Sequence, residues 1–261
     1  MTDASKYVSK SDFHHGKQFV KINKHIDTCL TLLERLILYN NECRNIVAEK
    51  LNIPDHIKDY RLDQFGYYEN TLRSVYYSCF SLKYIYDIST FMNFKRIENT
   101  IGETLDNQIR YITFTSIVKM SSIFEFTRKV YEKNITRKNY FDNLIKKYSD
   151  KGVSLKLLSD FRNTIHSNGI WNPDNKKDTL QYYLREGIQI IMPGEHFKYD
   201  NWQIYRIFKD CLELNKIMAL DNEALRVRET RLEINGQKLY ALKTDITERE
   251  MDNIFNKNNK K

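Results

Sequence analysis

Helix breakers are scarce in this chain: 3 prolines and 8 glycines are spread over 261 residues. Turn-dense β-sandwiches and barrels need more punctuation than that, so long helices are the favoured outcome. The segment 17–50 carries Phe19, Ile22, Ile26, Cys29, Leu30, Leu33, Leu36 and Ile37 as one helical stripe with polar residues between. Pro54 interrupts it. A second helix is predicted from Arg61 to about Arg96, with Leu62, Phe65, Leu72, Val75, Tyr76, Cys79, Phe80, Leu82 and Tyr86 as its apolar positions. Gly102 reads as a break. A third helix, from about Glu103 to Lys133, is rich in Thr, Ile and Phe, so a strand competes locally, but its length favours helix.

Beyond it, a short helix is expected around Asn139–Tyr148, closed by Asp150-Lys151-Gly152. Ser154 then reads as the N-cap of a helix with Leu155, Leu158, Phe161 and Ile165 on its apolar face, ended by Gly169 and Pro173. The period changes at Thr179–Leu184 and Ile188–Pro193, which flank Arg185-Glu186-Gly187 as a small hairpin. Asn201–Leu220 returns to helix. Asn235-Gly236 between Arg231–Ile234 and Gln237–Tyr240 is a second hairpin signal, and a brief helix through Ile254 and Phe255 precedes a polar tail. The expected fold is mainly α, a helical bundle with two small β-hairpin appendages. The expected division is a bundle domain over 1–222, with the hairpin inserted at about 178–198, and a C-terminal segment over 223–261.

Charge says little by itself. The balance of 42 Lys plus Arg against 34 Asp plus Glu gives +8, which suits an anionic partner such as nucleic acid and equally suits a Lys- and Asn-rich composition with no such partner. Cys29, Cys43, Cys79 and Cys211 are scattered singly, without metal-ligand spacing. No apolar signal core opens the sequence and no run approaches membrane-spanning length. A reducing cytoplasm is the expected compartment, with no membrane partner.

The densest chemistry lies in Asp160-Phe161-Arg162-Asn163-Thr164-Ile165-His166-Ser167-Asn168-Gly169. Arg162 and His166 are four apart, so on a helix they project from one face. A guanidinium forks onto phosphate oxygens, and an imidazole exchanges a proton near neutral pH. That pairing suits a phosphodiester. The plain alternative is that Arg162 pairs with Asp160 or a bundle carboxylate, while His166 simply sits where the helix dipole favours a cation.

The run Phe161–Gly169, late in a helical chain, resembles the signature helix of the HEPN superfamily, in which an Arg followed by a polar residue precedes a His. Arg162, Asn163 and His166 match in type and order, although only three residues separate Arg162 from His166, a tighter spacing than the family's. The resemblance implies a HEPN-like helical bundle, commonly a homodimer, that cleaves RNA without a metal or other cofactor. It implies Arg162 and His166 as catalytic residues, with Asn163 and Asn168 supporting them or binding phosphate. RNA and an antitoxin or defence-complex protein would be the partners, and toxin or antiviral effector the setting. The same resemblance also covers non-catalytic modules that bind RNA, a nucleotide or a protein.

Other candidates carry less. His14, His15 and His25 lack neighbouring acidic or thiol ligands in metal spacing, and His56 and His196 read as surface groups. Glu125 reads as a helix-surface carboxylate, with orientation of a bundle arginine as the alternative. The Tyr67/Tyr68, Tyr76/Tyr77 and Tyr84/Tyr86 sets suit core or interface better than base stacking. The basic stretch with Arg137, Lys138, Lys146 and Lys147 reads as a solvated face or an RNA guide. The absence of a phosphate-cradling glycine loop, a Gly-x-Ser-x-Gly elbow and a zinc-protease motif argues against an ATPase, an α/β-hydrolase or a zincin.

Overall fold

The structure, a computed structural model, describes residues 10–54, 59–91, 98–167, 169–173, 179–184 and 187–224. Six helices and one two-stranded sheet follow in the order α1 (Lys10–Lys50), α2 (Tyr60–Phe91), α3 (Glu98–Asn134), α4 (Tyr140–Lys147), α5 (Ser149–His166), β1 (Leu180–Leu184), β2 (Gly187–Ile191) and α6 (Asn201–Ala219). The chain divides at Glu229/Thr230, and every described residue lies before that point. The predicted second hairpin and the terminal helix lie outside the described residues.

Burial organises the bundle around α6. Ile204, Ile207, Phe208, Cys211, Leu212, Leu214 and Met218 are all buried, so this helix meets neighbours on most of its circumference, packing on α1, α5 and α3. Its entry is fixed by Asp200, whose side chain accepts the Gln203 backbone N–H at 2.7 Å. α1 and α2 pair lengthwise, with Leu33, Leu36 and Ile37 of the stripe read from the sequence, joined by Cys43 and Val47, sharing one core with Leu62, Phe65, Leu72 and Cys79. Asp59 starts α2. Its carboxylate accepts the Arg61 backbone N–H at 2.9 Å and the Arg61 guanidinium at 2.7 and 3.0 Å. Both side chains are sealed in the core, at 0% and 2% exposure, which is tolerable for charges only when paired.

The helices expected from periodicity before residue 224 are present, but several boundaries differ, α1 beginning at Lys10 rather than near residue 17. Gly102 lies inside α3, because one glycine costs only about 1 kcal/mol in a helix this long. α3 is helical throughout, with no strand. α5 begins at Ser149, so Ser154 is no cap: it is buried mid-helix and donates its hydroxyl to Asp210 of α6 at 2.5 Å. Gly152 does not stop the chain either. A Cβ there would lie 2.5 Å from Ile145 Cγ2, so glycine lets α5 close against α4. Phe80, assigned to the α2 core stripe, is instead 54% exposed. The tyrosine sets split: Tyr68 and Tyr86 are buried, Tyr67, Tyr77 and Tyr84 exposed.

β1 and β2 form the first expected hairpin, antiparallel with Leu180 opposite Ile191 and Leu184 opposite Gly187. Leu180, Tyr182 and Ile191 turn inward. Tyr182 hydroxyl donates to Lys198 O at 2.5 Å and accepts its N–H at 2.9 Å, tying the hairpin to the loop before α6. That loop is laced to the chain leaving α5: Trp171 N–H donates to Glu195 O, Gly194 N–H to Trp171 O and Phe197 N–H to Gly169 O. No described helix is long and apolar enough to cross a membrane.

Candidate functional site

α5 positions the motif by its amphipathic spacing. Leu157, Leu158, Phe161 and Thr164 are buried toward the bundle. With about 100° per residue, Arg162 and His166 share one flank of the helix, roughly 40° apart and one turn along. Arg162 stands at the edge of the buried face, and His166 in the last turn is exposed. Asn163 is exposed beside them. Asn168 lies outside the described residues. Gly169 ends the helix as expected, at φ +80°, with its N–H donated to Thr164 O at 2.8 Å.

Arg162 is held from across the bundle. Its Nη1 donates to Glu125 Oε1 of α3 at 2.5 Å, with the two side chains 29% and 37% exposed. Glu125 is thus the orienting carboxylate that the sequence had offered only as an alternative to a surface acid. Asp160 is not the partner. Its carboxyl is pushed above the ordinary range by burial, with Lys156 opposing that shift. Arg162 is therefore neither sealed in the core nor free. The pair fixes the plane of the guanidinium and leaves its buried Nε without a hydrogen-bond partner.

Glu125 also lines a groove of about 570 Å³ between α3, α4 and α5, whose walls carry Arg128, Lys146 and Lys156 as well as Asp142. The Arg128 guanidinium stacks on Phe141 at 5.2 Å, and its Nε lies 3.9 Å from Glu132 Oε2, one turn along α3. Of the basic stretch preceding the motif, Arg137 is committed elsewhere, pairing with Asp221 at 2.9 Å and Glu223 at 3.0 Å at the end of α6. Lys146 does reach this groove. Among the described residues no group of three or more His, Cys, Asp or Glu is placed to hold a metal.

In comparisons with known proteins, no family model, no curated protein and no solved structure matches this chain. The site rests on its own geometry.

Proposed function

We propose that the chain is a HEPN-like, metal-independent endoribonuclease, a toxin or effector of microbial defence acting in the cytoplasm as a homodimer. The observation that supports the reading is the shared flank of α5, where an exposed His166 stands one turn from an Arg162 that is braced by Glu125 and remains 29% exposed. RNA supplies its own nucleophile. A general base takes the 2′-hydroxyl proton, O2′ bonds to phosphorus, and the P–O5′ bond breaks as a general acid protonates the leaving oxygen. The products are a 2′,3′-cyclic phosphate and a 5′-hydroxyl end. His166 takes one of the two proton roles, and Arg162 stabilises charge on the non-bridging oxygens at the transition state. A second copy of the helix, across a two-fold axis, supplies the other proton role.

RNA incubated with the protein in EDTA should be cut to cyclic phosphate and 5′-hydroxyl ends. Arg162→Ala and His166→Ala should each remove the activity while the dimer, followed by light scattering, persists. Full activity in both variants would end the proposal.

One observation favours a second reading. The Glu125 carboxylate already occupies Arg162, which suits a scaffold that binds RNA, a nucleotide or a partner protein without turning it over. That reading expects RNA retention on the wild-type protein with no cleavage at any protein concentration.

A further inference from the structure

On the side of the bundle where α5 ends, the N-terminal part of α1, the middle of α3, the loop 196–200 and the start of α6 enclose a cleft of about 1140 Å³. A single drug-sized ligand fills only about 300–1,000 Å³, so the cleft has room for a short length of polymer. Its charge is lopsided. Of its two carboxylates, Asp106 pairs with Arg110 at 2.9 Å and Asp200 caps α6 through the Gln203 N–H. Lys21, Lys24 and Lys198 line it, all exposed and with no ion-pair partner among the described residues.

Aromatic rings lie among these cations. Phe114, Phe197 and Tyr199 contact one another with centroids 5.6–6.0 Å apart as one wall, and Trp202, 42% exposed, stands at the mouth. Lysines beside a part-buried aromatic wall and an exposed Trp202 match a single strand, whose phosphates take the cations while an unstacked base lies on the indole. A duplex offers no such bases, and an acidic peptide has no use for the rings.

The cleft also adjoins the motif helix. Phe197 packs on Phe161, the residue before Arg162, at 4.8 Å. Gly169, three residues past His166, lines the cleft, and a Cβ there would lie 3.5 Å from His196 Nδ1.

We propose that this cleft binds a short single-stranded RNA segment, with Lys21, Lys24 and Lys198 on the phosphates and Trp202 against a base. The assignment rests on the ribonuclease reading in one respect: it supplies that reaction with a track leading to the His166 end of α5.

The test is fluorescence anisotropy with a fluorescein-labelled oligouridylate on the His166→Ala protein, which holds the strand uncut. Lys21→Glu/Lys24→Glu should weaken binding by about tenfold or more and lower the salt slope by about 1.4. Trp202→Ala should weaken it about tenfold with the slope unchanged. Lys129→Glu, a charge reversal on exposed α3 surface away from the cleft, should change it by less than about twofold. Unchanged thermal melts confirm that each variant is folded.

If Lys129→Glu weakens binding as much as the cleft pair, net charge alone is responsible and the assignment fails. It fails equally if a labelled polyglutamate peptide or a DNA oligomer of the same length binds more tightly than the RNA. Binding that follows the cleft variants in a wild-type protein that never cuts RNA sinks the ribonuclease reading and upholds the cleft. Cleavage lost in His166→Ala, with binding indifferent to Lys21, Lys24 and Trp202, does the reverse.

Discussion

Two of the arginine–carboxylate pairs, Arg61–Asp59 and Arg162–Glu125, lie in different surroundings and do different work. Arg61 and Asp59 are sealed from water and close the start of α2 with three hydrogen bonds. Arg162 and Glu125 sit in partial contact with solvent and join α5 to α3 by one strong bond. A pair so placed belongs at the upper end of the exposed range, with a coupling of about 1 kcal/mol. Urea unfolding of Arg162→Ala, Glu125→Ala and the double variant should return that coupling. A value near zero would mean that Glu125 does not brace the guanidinium, and the fixed orientation invoked for phosphate recognition would go with it. No sequence pattern exposes this pair, because its two residues are 37 positions apart and helix periodicity reports only near neighbours. Arg162, Asn163 and His166, by contrast, lie within one helical turn, where spacing alone places them on adjoining faces.

At the scale of elements, periodicity carried the helices and misplaced their ends for a common reason. Gly102 and Gly152 read as punctuation, yet both lie inside helices. A glycine signals either a turn or a close approach, and only the neighbour across the gap tells which. At Gly152 that neighbour is Ile145, a β-branched side chain with no freedom to swing its Cγ2 away. Gly152→Ala should therefore destabilise the protein by about 1–3 kcal/mol, although alanine gains about 1 kcal/mol in helix propensity. Urea unfolding measures the change, and a stabilised variant would show that α4 and α5 separate without cost. Gly169 is the opposite case. Its positive φ and its bond to Thr164 O end α5 where the sequence placed the end. The hairpin of β1 and β2 was equally legible from its alternation, whereas Ser154 misled because a buried hydroxyl bound to Asp210 looks, in sequence, like a cap.

At the scale of the whole molecule, the described residues form two cores of unequal size. The larger surrounds α6, and the smaller gathers Ile22, Ile26, Leu82, Tyr86, Leu105 and Ile109 from the ends of α1, α2 and α3. Leu30 and Ile112 pack against both. The cleft opens beside the smaller one and draws its cations from segments far apart in the chain, so no local motif announces it. His25 lies there too, one residue from Ile26 of that core, with its Nδ1 3.3 Å from the Asn201 amide nitrogen. With the ring neutral, Nδ1 accepts from that amide. Burial lowers the His25 pKa, and Asp106 opposes the shift without cancelling it. The sign of the consequence follows from which state binds the proton first. As pH falls through about 6.5 the unfolded chain protonates this imidazole and the folded protein does not. Stability should therefore decline on acidification from about pH 7 until the lowered folded pKa is reached. Asp160 and Asp210 act in the opposite sense, since burial raises both carboxyls and they favour the fold as they protonate, but in the lower carboxylate range. Urea midpoints for the native protein should therefore fall as the pH drops below about 7, and His25→Gln should flatten that limb. A variant with the same slope would place the proton uptake elsewhere and leave His25 charged within its helix.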